Sequence, residues 1–404
     1  MRVDIQSLET FNRLAYEGAE QATAMLTQMT GIEADVAVTK MALMDRADVG
    51  EELAGRDHVG VQFGFEGPLT GDTTLVFDEA CTDSIVEALP GGAAEGAMKE
   101  SSVKEIGNIM MSGFIDGWAD FLGTTIEHTP PEYIAASGAD VLPAADGRGE
   151  QVFVFRSHVA WPGESEDLDF YIYMLPEYAE LAELMADTAG AGDDAIPIDK
   201  LSVFNEMTRA GTQTAAENVT AMTGIETKAE VTRISFAPVE DVPKQVDNRS
   251  YVGTVVEFEG KPSGYLMILF DEESALNVAE ALMPMEPDGE GFTDMHESAI
   301  QEMGNIMTSG FIDGWANVLQ TGVEHTPPQV VHDMGRAIMD PLAAKVGQTQ
   351  EHAFIIESTM RTADLEFESE IHALPDDEEL KTALEELDVD RADETEASVE
   401  KIFE

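Results

Sequence analysis

Hydrophobic positions recur along the chain in two alternating periods, and the whole order of periods is gone through twice. A three-to-four spacing predicts an amphipathic helix over about 5–29 and again over about 199–222, each leading into a strand. Two segments rich in β-branched and aromatic residues follow, HVGVQFGFE with TTLVF in the first half and YVGTVVEFE with GYLMILF in the second. Gly/Pro turns separate them, so they predict strands. A short helix comes next, then a long one at about 98–122 and 294–319. QVFVFRSHV and LDFYIYML close the first half, EHAFIIEST and LEFESEIHAL the second, each set before a terminal helix. Short links between strands favour antiparallel pairing. The predicted fold class is α+β, two tandem units, each an antiparallel sheet with two long helices packed on one side, rather than a Rossmann fold.

The repetition extends to the residues themselves. EIGNIMMSGFIDGWA at 105–119 returns as EMGNIMTSGFIDGWA at 302–316, 13 identities in 15 at an offset of 197, and Glu127-His128-Thr129-Pro130-Pro131 returns as Glu324-His325-Thr326-Pro327-Pro328. Leu175-Pro176 matches Leu374-Pro375. The expected organisation is a first unit at 1–190, a linker at 191–198 with Gly, Ala and Asp around it, a second unit at 199–388 and an acidic tail at 389–404.

Composition narrows the partners. With 80 Asp and Glu against 22 Lys and Arg the formal charge is −58, which argues against nucleic acid and anionic membranes. Yet 43% of residues are hydrophobic, including 18 Phe and 21 Met, so the chain is expected to fold rather than stay disordered. That combination fits a cytoplasm of molar salt, where the Debye length falls to about 3 Å. Cys81 is the single cysteine, which excludes an internal disulfide and a Cys-based zinc site; a small buried filler or a reactive thiol are its two readings. The start MRVDIQSLETFNRLAYEG has no positive segment followed by an apolar run, and no stretch approaches about 20 apolar residues, so a soluble cytoplasmic protein is expected.

On the repeated helix Val103, Ile106, Met110, Phe114 and Phe121 make the expected buried face. A second stripe, Ser101, Glu105, Asn108 and Ser112, repeats as Ser298, Glu302, Asn305 and Ser309. Glu and Asn three residues apart share one face, a turn from each other. Gly107, Gly113 and Gly117 each cost about 1 kcal/mol in a helix interior, which points to close approach by another backbone, either a partner surface or the paired helix of the same unit. Asp116 and Asp313 fall well around the helix and read as solvated or capping, Trp118 and Trp315 as core or helix contacts. His128 and His325 sit in turns where two prolines favour the end of an element over a metal site.

The spacing Ser, three residues, Glu, two residues, Asn, 22 residues, Pro is met by Ser101, Glu105, Asn108 and Pro131, and again by Ser298, Glu302, Asn305 and Pro328. It resembles the signature of the CheC/CheX/FliY family of chemotaxis phosphatases, and each unit resembles a whole CheC protein in length and order of elements. The resemblance implies hydrolysis of the aspartyl phosphate on a CheY-type receiver, with up to two active helices in each unit. Glu105 with Asn108 and Glu302 with Asn305 match the active pattern. The first helices do not: the corresponding positions are Arg13 and Tyr16 in FNRLAYEG, Glu206 and Arg209 in FNEMTRAG, so both sites read as degenerate.

An aspartyl phosphate is lost by in-line attack of water, and the receiver would bring its own Mg²⁺ and Lys, so this chain needs no cofactor or metal of its own. The resemblance implies that Asn orients the water and Glu docks to the receiver's Lys. Two further classes stay open. One is a non-catalytic adaptor binding a receiver, a CheD-type deamidase or a motor-side component; the other is a small-molecule sensor, which would need an apolar pocket.

Overall fold

The computed structural model describes residues 2–3, 18–25, 27–28, 35–77, 82, 96–121, 123–143, 151–160, 168–177, 180, 196–247, 249–283, 292–319, 321–362 and 367–386. Arg13, Tyr16, Cys81, linker residues 191–195 and the 389–404 tail lie outside the described residues, as do the side chains of Glu206 and Phe121. The chain divides into two compact units, Met1–Ala195 and Ile196–Glu404.

In unit 2 the sheet runs Thr227–Pro238, His352–Thr362, Glu368–Pro375, Gly264–Asp271, Ser250–Glu259, with every neighbouring pair antiparallel. The outer edge of Ser250–Glu259 takes two short partners, Gln329–Met334 and then Glu324–His325. Unit 1 repeats the order with Asp35–Asp45, Gln151–Ala160, Leu168–Pro176, Gly71–Phe77 and Asp57–Glu66. Its edge carries Glu132–Ser137 and Glu127–His128. Even the register irregularity recurs, between Val36 and Val38 in one unit and Ala229 and Val231 in the other. Glu132–Ser137 and Gln329–Met334 have no place in the sequence reading, because edge strands with little burial show no clear period of two.

Residues of alternate parity on the edge strand, Val252, Thr254, Val256 and Phe258, are buried. The helix Asp294–Leu319 lies on them through Ile300, Met303, Met307, Phe311 and Trp315, whose spacing is that of one helical face. Trp315 meets Phe258 edge to face at 5.9 Å and donates its indole N–H to Thr208 Oγ1 at 3.1 Å on the other long helix, Ile198–Thr223. In unit 1 the helix Ala97–Phe121 buries Val103, Ile106, Met110, Phe114 and Trp118, with Trp118 against Phe155 at 5.6 Å.

Glycine sets how close these layers come. A Cβ on Gly304 would stand 2.3 Å from Thr254 Oγ1, and one on Gly107 2.6 Å from Val61 Cγ2, so each repeated helix lies directly on its edge strand. A Cβ on Gly314 would be 2.5 Å from Gly211 Cα, where the two long helices of unit 2 cross. The glycines thus serve the sheet and the paired helix of the same unit.

Unit 2 also covers the opposite face of its sheet. The helix Gly335–Val346 lays Ile338, Met339, Leu342 and Ala343 over Tyr251, Met267, Leu269, Ile355 and Leu374. The sequence reading has helices on one side only and omits this element, which carries Pro341 within it, a residue that reads in sequence as a helix breaker. Among the described residues no helix is long and apolar enough to cross a membrane.

Candidate functional site

Both copies of the polar stripe stand on the outward side of a helix whose inner side is fixed by the core. Ser101 and Glu105 are exposed, Asn108 and Ser112 half-buried; Ser298 and Glu302 are exposed, Asn305 and Ser309 half-buried. The two repeated helices therefore present the same gradient, from a solvated carboxylate to an amide that begins to sink into the protein. The start of the second is defined by Thr293, whose N–H donates to His296 Nδ1 at 3.0 Å, so a histidine fills the place that Glu or Gln holds in a capping box. Ser298 spends its hydroxyl on the carbonyl of Asp294 at 3.0 Å.

The serines below the amide turn inward. Ser112 donates to the carbonyl of Asn108 at 2.6 Å and stands 3.0 Å from His128 Nε2. Ser309 donates to the carbonyl of Asn305 at 2.8 Å and stands 3.3 Å from His325 Nε2. The histidines come from the two-residue strands on the sheet edge, paired to Phe65 and Phe258. One turn higher the units part: Gln301 donates to the carbonyl of the signature proline, Pro328, at 2.8 Å, while its counterpart Lys104 pairs with Glu100 at 3.1 Å.

Asp116 and Asp313 are exposed, and Trp118 and Trp315 are core. Of the degenerate first-helix positions, Arg209 is half-buried. Among the described residues no group of three or more His, Cys, Asp or Glu is placed to hold a metal ion. The sequence reading missed the link from His128 and His325 to the serines and the link from Gln301 to Pro328. The intact repetition of EHTPP was the signal for the first; nothing in residue type signalled the second.

A convex helix carrying an acid and an amide one turn apart can enter a pocket on another macromolecule, orient a small group there and supply one negative charge. Fold and stripe together define one α+β type of protein, built twice in one chain. The family profile "Chemotaxis phosphatase CheX" matches residues 252–357, and "CheC-like family" matches residues 98–134. The chain is 39% identical over 184 residues to a Halobacterium salinarum protein named "Putative CheY-P phosphatase CheC1", covering 45% of this chain and 92% of that one. The chain belongs to the CheC/CheX/FliY family. Solved structures with likeness include Thermotoga maritima FliY, at 19% identity and TM-score 0.39 over 46% of this chain and 100% of that one. Another is CheX of Vibrio vulnificus, at 16% identity and TM-score 0.31 over 41% and 99%.

Proposed function

We propose that this chain is a tandem phosphatase acting on the aspartyl phosphate of a CheY-type response regulator, with one working helix in each unit. The observation that carries the reading is the duplicated exposure gradient: Glu105 and Glu302 in solvent, Asn108 and Asn305 half-buried one turn on. Asn108 or Asn305 enters the receiver's pocket and holds a water in line with the phosphorus. The water oxygen bonds to phosphorus as the acyl-phosphate P–O bond breaks; the receiver's aspartate leaves as carboxylate, one water proton stays on the new P–OH and the other passes to a phosphate oxygen or to bulk solvent. Glu105 or Glu302 pairs with the receiver's active-site Lys, a charge-assisted bond that fixes the docked helix. The receiver brings the Mg²⁺. A hundredfold acceleration needs about 2.7 kcal/mol of barrier lowering, which positioning alone supplies.

Receiver pockets are acidic, and so is this chain, at −58. Docking therefore strengthens as salt rises, because the repulsion is screened within about 3 Å at 1 M. The test follows the decay of a receiver charged with acetyl phosphate, in molar KCl with Mg²⁺, for wild type, Asn108→Ala, Asn305→Ala and the double variant. Acceleration that survives each single substitution and disappears in the double one supports two working sites. No acceleration by the wild type, alone or with a CheD-type deamidase, overturns the reading in favour of an adaptor.

A further inference from the structure

The turn that follows each signature helix comes back to it at the carbonyl of the water-orienting residue. His128 is held on three sides: its Nδ1–H donates to the carbonyl of Thr129 at 3.1 Å, its ring meets Phe63 edge to face at 5.8 Å, and its backbone pairs with Phe65. Thr129 in turn is clamped to the edge strand, donating its N–H to the Gly64 carbonyl at 2.8 Å and accepting the Gly64 N–H on Oγ1 at 2.8 Å. With the ring so fixed, Nε2 lies 3.0 Å from Ser112 Oγ; the serine's one proton goes to the Asn108 carbonyl, so the link is continuous in the ring form that carries a proton on both nitrogens, with Nε2–H donating to Oγ.

Unit 2 builds the same chain from its own residues. His325 Nδ1–H donates to the Thr326 carbonyl at 3.0 Å, and Thr326 donates to the Glu257 carbonyl at 2.8 Å while accepting the Glu257 N–H at 3.1 Å. Nε2 again faces the serine that bonds the Asn305 carbonyl. A serine that bonds its own i−4 carbonyl bends and loosens a helix, and Asn108 is flanked by Gly107 and, further along, Gly113, both poor helix formers. The turn bearing the amide is thus soft by itself and is secured from outside.

We propose that His128 and His325 are positioning residues: each ties the helical turn of Asn108 or Asn305, through Ser112 or Ser309, to the clamped edge of the sheet. This rests on the phosphatase reading, in which the amide must sit within roughly 0.5 Å of its working place and a misplacement of about 1 Å costs on the order of a hundredfold. The His touches neither receiver nor water, so its loss acts on turnover rather than on docking, which Glu105 and Glu302 serve.

The test uses the full chain in the Asn108→Ala background, so that only the unit 2 helix works, with the acetyl phosphate-charged receiver as substrate. His325→Phe keeps a ring beside Phe258's strand and removes the polar link; it is expected to lower kcat about tenfold with KM within twofold. His325→Gln places an amide near the position of Nε2 and is expected to stay within threefold of the parent. Ser309→Ala is expected to match His325→Phe, and the two combined to be no worse than either, since they break one link. Amide hydrogen exchange over 302–310 reads the tether without activity, and is expected to quicken severalfold in His325→Phe and not in His325→Gln. An active parent whose kcat and exchange are unmoved by His325→Phe overturns the inference, as does a loss confined to KM or one that Gln fails to rescue. An inactive wild type instead overturns the phosphatase reading and with it the positioning role, even where exchange still shows the tether.

Discussion

The two signature helices face the same task with unequal support. Both lie on their edge strand through a glycine, Gly107 on Val61 and Gly304 on Thr254, and both are linked to an edge histidine through a serine. Unit 2 has the Gln301 bond to Pro328 where unit 1 has the Lys104–Glu100 pair, and among the described residues its two long helices meet backbone to backbone at Gly211 and Gly314. What the copies keep in common is the line from sheet edge to Asn; what differs among the described residues is the side chain one turn before the Asn and the contacts at the helix crossing.

The largest expected effect is the loss of both amides. Asn108→Ala with Asn305→Ala should remove about a hundredfold of acceleration, or about 2.7 kcal/mol, and each single variant should leave the other unit's share. Unequal residual rates, measured as kcat for each single variant, would show which scaffold serves its amide better; the extra support in unit 2 leads us to expect the faster residual in Asn108→Ala. Equal residuals would mean that the extra contacts do not reach the site.

Next comes a pair of equivalent glycines. A Cβ at Gly310 would meet Ala215 Cα at 2.9 Å and its N at 3.1 Å, both backbone, whereas at Gly113 it would meet Met25 Sδ at 3.2 Å, the end of a flexible side chain, and the backbone only at 3.3 Å, at Ala22 N and Gln21 C. Gly310→Ala should destabilise unit 2 by roughly 2 kcal/mol through overpacking. At Gly113 the gain of about 1 kcal/mol in helix propensity offsets a smaller clash, so Gly113→Ala should be close to neutral. Thermal unfolding of the two variants in molar salt checks the contrast, and equal destabilisation would mean the helix pairs are equally tight.

Much of this architecture was legible before any coordinates. The helix limits at 98–122 and 294–319 fall within a residue or so of Ala97–Phe121 and Asp294–Leu319, since strong periodicity and a fixed buried face leave little freedom. The exposed half of the stripe, Ser101, Glu105, Ser298 and Glu302, was legible for the same reason. Gly335–Val346 was not, because its interior Pro341 reads as a break and its buried face is defined only by a sheet surface remote in sequence. Nor was the inward turn of Ser112 and Ser309: residue type put them with Ser101 and Ser298, but about three helical turns further on the edge strand brings a histidine within reach.

A smaller effect tests unit 2 by pH. The Asp377 carboxyl is pushed up to about 7, first by burial, with the charges of Asp376 and Glu378 adding to it against the Phe354 N–H that it accepts. The folded state then favours the protonated form, so this contribution to stability is full below the ordinary value of 3.8 and is lost as pH rises through about 7. Unit 1 has Tyr178 at the equivalent place after its Leu-Pro pair. Asp377→Asn should raise stability at pH 8 by on the order of 1 kcal/mol and leave it unchanged near pH 4. A difference between variant and wild type that does not vary with pH would refute the assignment, and the comparison cancels the effect of the large net charge.

The smallest effect is the sharpest probe of the unequal scaffolds. Gln301 and Lys104 occupy equivalent positions, yet one holds the signature proline's carbonyl at 2.8 Å and the other pairs with Glu100 at 3.1 Å along its own helix. A partly exposed i,i+4 ion pair contributes a few tenths of a kcal/mol and fixes nothing beyond the helix, whereas the Gln bond ties the helix to the turn that carries its histidine. Gln301→Ala, measured with Asn108→Ala, should lower kcat about threefold, the scale of one net hydrogen bond of about 0.7 kcal/mol. Lys104→Ala, measured with Asn305→Ala, should change kcat little. Lys104→Gln in that same background decides between two accounts of the inequality: if the turn's position is limiting, the new amide should reach the Pro131 carbonyl and raise unit 1 toward unit 2. If it leaves unit 1 unchanged while Gln301→Ala still slows unit 2, the advantage comes from the buried crossing behind the helix and not from the turn in front of it.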